Sequence, residues 1–598
     1  MISTSILSAS QRFPAAQNWH VSTVHLIPSR AIRNTSCLCF PATILSQKEW
    51  GSMQATLILF GGRVTTKVGW AAEEAEAIAC RGEHVLAVGS DEDIRALAGP
   101  GCELIPLQGR RVTPGLIDSH LHLSWLGMGL TQLDLVGVSS LGRLQEQVAA
   151  RTARTPAGSW VLGRGWDQEV MGRLPSRLDL DAVAPAHPVL LVRVCGHVAV
   201  ANSLALCLAG VNRDTPDPQG GVIDRDREGE PTGVLREEAM ELVRSRMPVP
   251  NREEMAQALT AAGERVVAGG ITSVHSNDSC LGQGPEYIPA AYRRARELGL
   301  RVRVWWDIPA DLAPQVIERG WHSGQGDHWF RSGSLKFFAD GSLGGATAAL
   351  SAPYADQPSS QGVLTVDPEG LCQEMMRARR AGWQVAIHAI GDRAIEVALD
   401  AIEASQAEAA SQAQAASQAE APSQAGWRPR LIHAQVMRPD LFLRLARSRA
   451  VADLQPRFVS SDKRFVEARL GCERSRYAYA WRTFLEHGIP VAFGSDCPVE
   501  PIEPMLGVYA AVTRCDTEGQ PPGGWHPEQK LSVGEAMRGF TLGAAYAVGE
   551  EGEKGSLEPG KLADLVVWEE DPFSVDPMAL KDVRPFLTVV GGEVVYSR

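Results

Sequence analysis

The sequence predicts an α/β protein: an eight-stranded parallel (β/α)₈ barrel with a small β-sandwich domain formed by both chain ends. Three observations carry this. Short apolar segments alternate with helical stretches between about residues 114 and 549. Histidines and other reactive residues recur at the ends of those segments. Both termini read as Gly-punctuated strands. Strand–helix alternation favours βα units and a parallel sheet, and eight strands are the number that closes such a barrel.

Taken in order, residues 1–52 hold four basic residues (Arg12, Arg30, Arg33 and Lys48) against the single acid Glu49, with many serines and no lasting period. They are expected to be a disordered or mistranslated leader ahead of a start at Met53, with an organelle transit peptide as the alternative. Residues 53–113 form the first part of the β-sandwich. Ala55–Phe60 is a strand, Gly61-Gly62 a hairpin turn, and Arg63–Thr65 and His84–Gly89 are further strands. Residues 550–598 form the second part, with a strand at 562–568 and a hairpin at 587–596.

Between them lies the barrel, residues 114–549. Its eight strands are expected at 115–122, 270–275, 300–306, 335–339, 384–388, 431–433, 451–455 and 491–495. The long gap after the first strand, residues 125–255, reads as an insertion over the barrel mouth that serves as a lid or substrate pocket; 160–167 and 189–195 within it are strand-like. The Ala-Ser-Gln-Ala repeats of residues 401–426 favour helix and carry no chemistry.

The 598-residue chain is 44% apolar and 21% charged, ordinary for a globular protein, and its net charge of −12 argues against binding a polyanion. No run of about 18 apolar residues exists, so no membrane span is expected. The 11 cysteines are scattered without a CxxC pair, which fits reduced thiols in a cytoplasmic protein. The expected partner is a small-molecule substrate, with no nucleic acid and no membrane; a homo-oligomer is left open.

The strongest local pattern is Asp118-Ser119-His120-Leu121-His122. Side chains two apart on a strand share a face, so His120 and His122 point together toward the active-site end of the first barrel strand. Two converging imidazoles begin a metal site. His388, His433 and Asp496 end the fifth, sixth and eighth strands, each after a short apolar run. Polar groups repeated at such positions are hard to explain as core filling, because burying them unpaired costs free energy. Lys336, on the fourth strand, reads either as an outward surface lysine or as an inward amine that reacts with CO₂ to form a carbamate. His197 and Asn202 in the insertion, Asp340 after Lys336, and His275 at the end of the second strand are candidate substrate contacts. For Asn202 a helix cap is the competing reading, and for His275 a bracing role.

At this point the chain resembles the amidohydrolase superfamily, specifically amidohydrolase family 3 with its N-substituted formamide deformylase-like enzymes. The segments that carry the resemblance are Lys336-Phe337-Phe338-Ala339-Asp340-Gly341-Ser342-Leu343-Gly344, His388-Ala389-Ile390-Gly391-Asp392-Arg393-Ala394, Gln455-Pro456, 494–501 and 555–564. The resemblance implies a metal-dependent hydrolase of linear carbon–nitrogen bonds. By that resemblance His120 and His122 hold a buried metal, carboxylated Lys336 bridges to a second, His388 and His433 hold the outer metal, and Asp496 binds the metal and shuttles a proton. One or two divalent ions are implied, Zn²⁺ being the default for an imidazole-rich set. A lactonase, esterase or phosphotriesterase on the same centre is the alternative, and a non-catalytic metal-binding regulatory protein a further one.

Overall fold

The computed structural model describes residues 54–69, 74–130, 132–193, 198–218, 221–237, 239–415 and 427–598. The leader expected at 1–52 therefore lies outside the described residues, as does the last part of the repeat segment. Its preceding half continues the helix Asp392–Ala415, the lengthened barrel helix that the composition predicts.

All eight expected barrel strands form. They are β1 (Leu116–Leu121), β2 (Ile271–Ser276), β3 (Arg303–Pro309), β4 (Phe330–Phe338), β5 (Val385–Ala389), β6 (Arg430–His433), β7 (Val451–Leu454) and β8 (Val491–Phe493). They lie in one sheet in sequential order, and every neighbouring pair is parallel. β4 is longer than expected at its start, because Phe330 and Arg331 already pair with β3.

The ring is completed just beyond β8. Asp496 N–H donates to the His120 carbonyl at 2.7 Å and His122 N–H to the Cys497 carbonyl at 2.8 Å. The Asp118 carboxylate accepts from the backbone N–H groups of Ser495 and His120, each at 3.1 Å. Gly494 makes this approach possible, since a Cβ there would lie 2.5 Å from the His120 nitrogen.

The interior of the barrel is polar below the mouth. Arg430 is fully buried and bonds both Asp307 and Asp453, at 2.9 and 2.8 Å, while donating to the Ser119 carbonyl. The charges are thus paired and their hydrogen bonds filled, which is the condition under which burial is tolerated.

The segment between β1 and β2, expected as an insertion with strand-like stretches, forms strands at Val161–Trp166 and Val189–Arg193. It builds its own six-stranded sheet, from Leu133–Asp134 to Pro231–Glu237. Alternate residues serve opposite faces: Val189, Leu191, Val200 and Val234 enter one apolar cluster, and Leu190, Ala199, Ala201 and Leu235 another.

Two further sheets pack beside the barrel. One has four strands, all between Ala55 and Pro106. The other has six and joins both chain ends, with Leu565–Trp568 antiparallel to Arg111–Pro114. Leu57, Leu59 and Ile78 of the first share a core with Val112, Leu565 and Val567 of the second. Gly61-Gly62 is not a hairpin turn, contrary to expectation: Ala55–Phe60 pairs in the first sheet and Arg63–Thr65 in the second, so these glycines carry the chain from one sheet to the other. The hairpin across Gly591-Gly592 does form, between Pro585–Val590 and Glu593–Ser597.

Candidate metal centre

The ends of β1, β4, β5, β6 and β8 bring His120, His122, Lys336, His388, His433 and Asp496 together. Ring centroids run from His122 to His120 at 5.4 Å, from His120 to His433 at 5.6 Å, and from His433 to His388 at 4.6 Å. Asp496 Oδ1 lies 3.3 Å from His122 Nε2 and 3.5 Å from His120 Nε2. Lys336 Nζ lies 3.3 Å from His120 Nε2. The Lys336 side chain is thus inward, which removes the reading of an outward surface lysine. His433 and Asp496 hold left-handed backbone angles, φ 74° and 59°, a strain found mostly where function requires a particular aim.

The remaining ring nitrogens show which lone pairs face the centre. His122 Nδ1 donates to the Asn277 carbonyl at 2.7 Å, which leaves Nε2 turned toward Asp496. His433 Nδ1 donates to Gln455 Oε1 at 2.7 Å. The amide of Gln455 is itself oriented, because its Nε2 donates to the Asp453 carbonyl. His388 differs: its Nε2 donates to the Gly341 carbonyl at 3.0 Å, which leaves Nδ1 as the lone-pair atom. Such outer hydrogen bonds are what fix ring orientation at a metal. Sequence reasoning missed Asn277 and gave Gln455 no role; a motif at 455–456 was the only signal.

Electrostatically, burial favours the neutral ring at three of the histidines. Burial holds the His120 and His388 rings well below the ordinary histidine range and pushes His433 down to about 4. Burial also pushes Lys336 down to about 8, toward the neutral amine, although Asp307 and Asp496 oppose it. Asp496 stays below the usual carboxylate range: burial opposes its charge, but His122 and His433 outweigh that.

Potential ligand atoms therefore converge. An Asp496 carboxylate oxygen sits against His122 Nε2, and one ligand atom from each of His120, His122 and Asp496 lies within 4.8 Å of the others. His120 Nδ1 is buried without a partner. Such a set suits a divalent cation, with imidazole and carboxylate donors appropriate to Zn²⁺ and its neighbours.

The other candidates fare differently. Asn202 caps the helix Ser203–Ala209 and uses its whole hydrogen-bonding capacity inside the inserted sheet: Oδ1 accepts from Val189 and Ala205, and Nδ2 donates to Ala184 and His187. It braces; it has nothing left to offer a substrate. Asp340 likewise accepts backbone N–H groups of Ala349, Ile390 and Gly391, with burial pushing its carboxyl up to about 7. It ties the β4 and β5 ends together 3.5 Å from His388, in place of the expected substrate contact. His275 has zero exposure and sits in the barrel interior beside Trp305, so it too is not a substrate contact. Burial, with Arg430 and Lys554 near, keeps its ring neutral. His197 lies outside the described residues.

A parallel barrel with histidines and an acid at its strand ends defines a metal-dependent hydrolase of the barrel type. The chain belongs to the amidohydrolase family, whose pattern it matches over residues 103–596. It is 36% identical over 533 residues to a putative amidohydrolase, YtcJ, of Bacillus subtilis, covering 88% of this chain and 97% of that one. It is 26% identical over 554 residues to an N-substituted formamide deformylase of Arthrobacter pascens, covering 88% and 95%. Among solved structures, an uncharacterized metal-dependent hydrolase from Pyrococcus furiosus superposes with a TM-score of 0.72 at 31% identity, covering 87% of this chain and all of that one.

Proposed function

We propose that this enzyme hydrolyses a linear carbon–nitrogen amide bond of a small-molecule substrate, with N-substituted formamides as the first class to try. The observation that carries the reading is the convergence of His120, His122 and Asp496 at the mouth, one ligand atom of each within 4.8 Å of the others. The similarity to the deformylase supports the choice of bond. His120 and His122 would hold one divalent ion, Zn²⁺ by donor type, with Asp496 alongside. His388 and His433 would hold a second. Lys336, buried beside His120 and brought toward its neutral form by burial, would supply a further anionic ligand as a CO₂-derived carbamate.

A bound divalent cation polarises a carbonyl and brings the pKa of a water from ~15.7 toward ~7. The chain's own part is proton handling and aim. The carboxylate of Asp496 accepts the proton lost by the attacking water and returns it to the leaving nitrogen as the carbon–nitrogen bond breaks. The products are a carboxylic acid and an amine. Asn277, Gln455 and Gly341 hold the rings still while this happens. We also propose a cytoplasmic location, which fits the free cysteines found among the described residues.

The test is amine release from a panel of N-formyl and N-acyl amides, with esters, lactones and phosphotriesters alongside, using metal-loaded protein. Turnover of amides that falls about 10²–10⁴-fold in Asp496→Asn is expected, the range for losing a positioned acid–base group. Ester, lactone or phosphotriester turnover alone would replace the amide reading. Metal uptake with no turnover of any substrate would favour a binding protein.

A further inference from the structure

The chain leaves β6 through two successive left-handed residues, His433 (φ 74°) and Ala434 (φ 41°), neither of them glycine. Such a pair is strained, and it persists only where the surroundings over-determine it. On one side the turn is tied to the end of β5. Ala434 N–H donates to the Ala389 carbonyl at 3.1 Å, and Val436 N–H to the Ile390 carbonyl at 2.9 Å. On the other side it is tied through the buried residue Gln435. Tyr479 N–H donates to the Gln435 carbonyl at 3.0 Å. Gln435 Nε2 donates to Asp462 Oδ2 at 2.9 Å and to Tyr479 Oη, and Tyr479 Oη donates to the same Asp462 oxygen at 2.6 Å.

Both partners of Gln435 are themselves fixed. Asp462 lies on the helix Phe458–Ser475, one turn after Phe458, whose ring faces that of His433 with centroids 6.0 Å apart and planes 20° apart. Residues four apart share a helix face, so one face meets the His433 ring at Phe458 and holds its turn at Asp462. Tyr479 is also left-handed, φ 53°, and its carbonyl accepts from Arg514 Nη1 at 2.6 Å. Arg514 has zero exposure; its guanidinium lies over the Trp481 and Trp525 rings, and its Nε donates to the Trp525 carbonyl at 2.8 Å. Gln455 takes His433 Nδ1 and sets the rotation of the ring. Gln435, Asp462 and Tyr479 hold the backbone from which that ring projects.

We infer that Asp462 and Tyr479 are positioning residues of the metal centre, acting through Gln435 on the left-handed turn that aims His433. The inference rests on reading the histidine row as a metal centre. Neither side chain is a ligand in this scheme; both act on the aim of one.

Co²⁺ titration of the full-length protein tests this, with affinity read by chelator competition and geometry by the visible absorption of the bound ion. Tyr479→Phe keeps the ring and removes the hydroxyl; Asp462→Ala removes the shared acceptor. Each is expected to weaken Co²⁺ binding about tenfold, the lower end for lost outer partners at metal sites, and to alter the absorption bands. In a His433→Ala background the same substitutions should change the remaining affinity by less than about twofold, because the residue they act through is gone. A purely structural role would lower the Tm of metal-free protein and leave Co²⁺ affinity and absorption as they are, which would overturn the inference. Equal losses in both backgrounds would overturn it too, since the effect would not pass through His433. Should Asp462→Ala fail to fold, Tyr479→Phe decides alone. A wild-type protein that binds no Co²⁺ removes the metal-centre reading and this inference with it; Co²⁺ binding indifferent to both substitutions removes this inference only.

Discussion

Three of the four histidines at the mouth, His122, His388 and His433, are aimed by the hydrogen-bond partner of one ring nitrogen. His433 depends on Gln455, whose amide is turned by the Asp453 carbonyl. Gln455→Leu keeps the volume and removes the acceptor, so the ring loses both its tautomer and its aim. A 10–100-fold weaker metal affinity is expected, as for lost outer hydrogen bonds at other metal sites. Competition with a chromogenic chelator measures it, and an unchanged affinity would show that packing alone orients His433. At this scale the ligand positions were legible, because β-strands place alternate residues on one face and each candidate followed a short apolar run. The orienting partners were not. Asn277 and Gly341 act through backbone carbonyls, which any residue type supplies, and Gln455 lies 22 residues from the ring it holds. Asn202 and Asp340 illustrate the converse: Asn202 has all its bonding committed to backbone, and Asp340 accepts three backbone N–H groups.

At the scale of elements, β3, β6 and β7 are joined through one cation. Arg430 on β6 reaches Asp307 on β3 and Asp453 on β7, and Asp453 in turn accepts from Ser119 Oγ of β1 at 2.6 Å. Arg430→Met would leave two carboxylates buried without a counter-charge. A loss of about 3–5 kcal/mol is expected, the cost of breaking a buried pair from one side. A urea midpoint, with metal present in both samples, reads it; a shift below 1 kcal/mol would mean that water or protonation relieves the aspartates. Sequence pattern showed the barrel strands since each is a short apolar run between helices. It hid much of the inserted sheet. Gly221–Arg225 and Pro231–Glu237 carry arginines and acids along their length, so their pairing is set by neighbours rather than by a hydrophobic signature. Gly61-Gly62 was misread for a related reason. A Gly-Gly step between two strands is the same local signal whether the chain folds back or crosses to another sheet, and only the partner strands decide.

For the whole molecule, the described chain closes on itself through the six-stranded sheet, and the buried Arg303–Asp564 pair at 2.7 Å joins β3 to that sheet. The metal centre lies at the strand ends of the same barrel, so its occupancy bears on global stability. His120 Nε2 and His122 Nε2 lie 3.5 and 3.3 Å from Asp496 Oδ1, so a bound ion would tie the ends of β1 and β8 together. An ion that binds the folded chain and not the unfolded one stabilises by RT ln(1 + [L]/Kd), about 2.7 kcal/mol at a hundredfold excess over Kd. Chelator-treated protein should therefore melt at a lower Tm than protein refilled with Zn²⁺, and the difference should grow with the logarithm of free Zn²⁺. The His120→Ala variant provides the control, since removing one donor should flatten that dependence while leaving the β-sheets at the chain ends intact. If chelated and refilled wild-type protein melt together at all Zn²⁺ concentrations, the convergence of donors is not a metal site and the hydrolytic reading loses its foundation. If the dependence appears in the wild type and vanishes in the variant, the donors gathered from β1, β5, β6 and β8 act as one thermodynamic unit with the barrel that holds them.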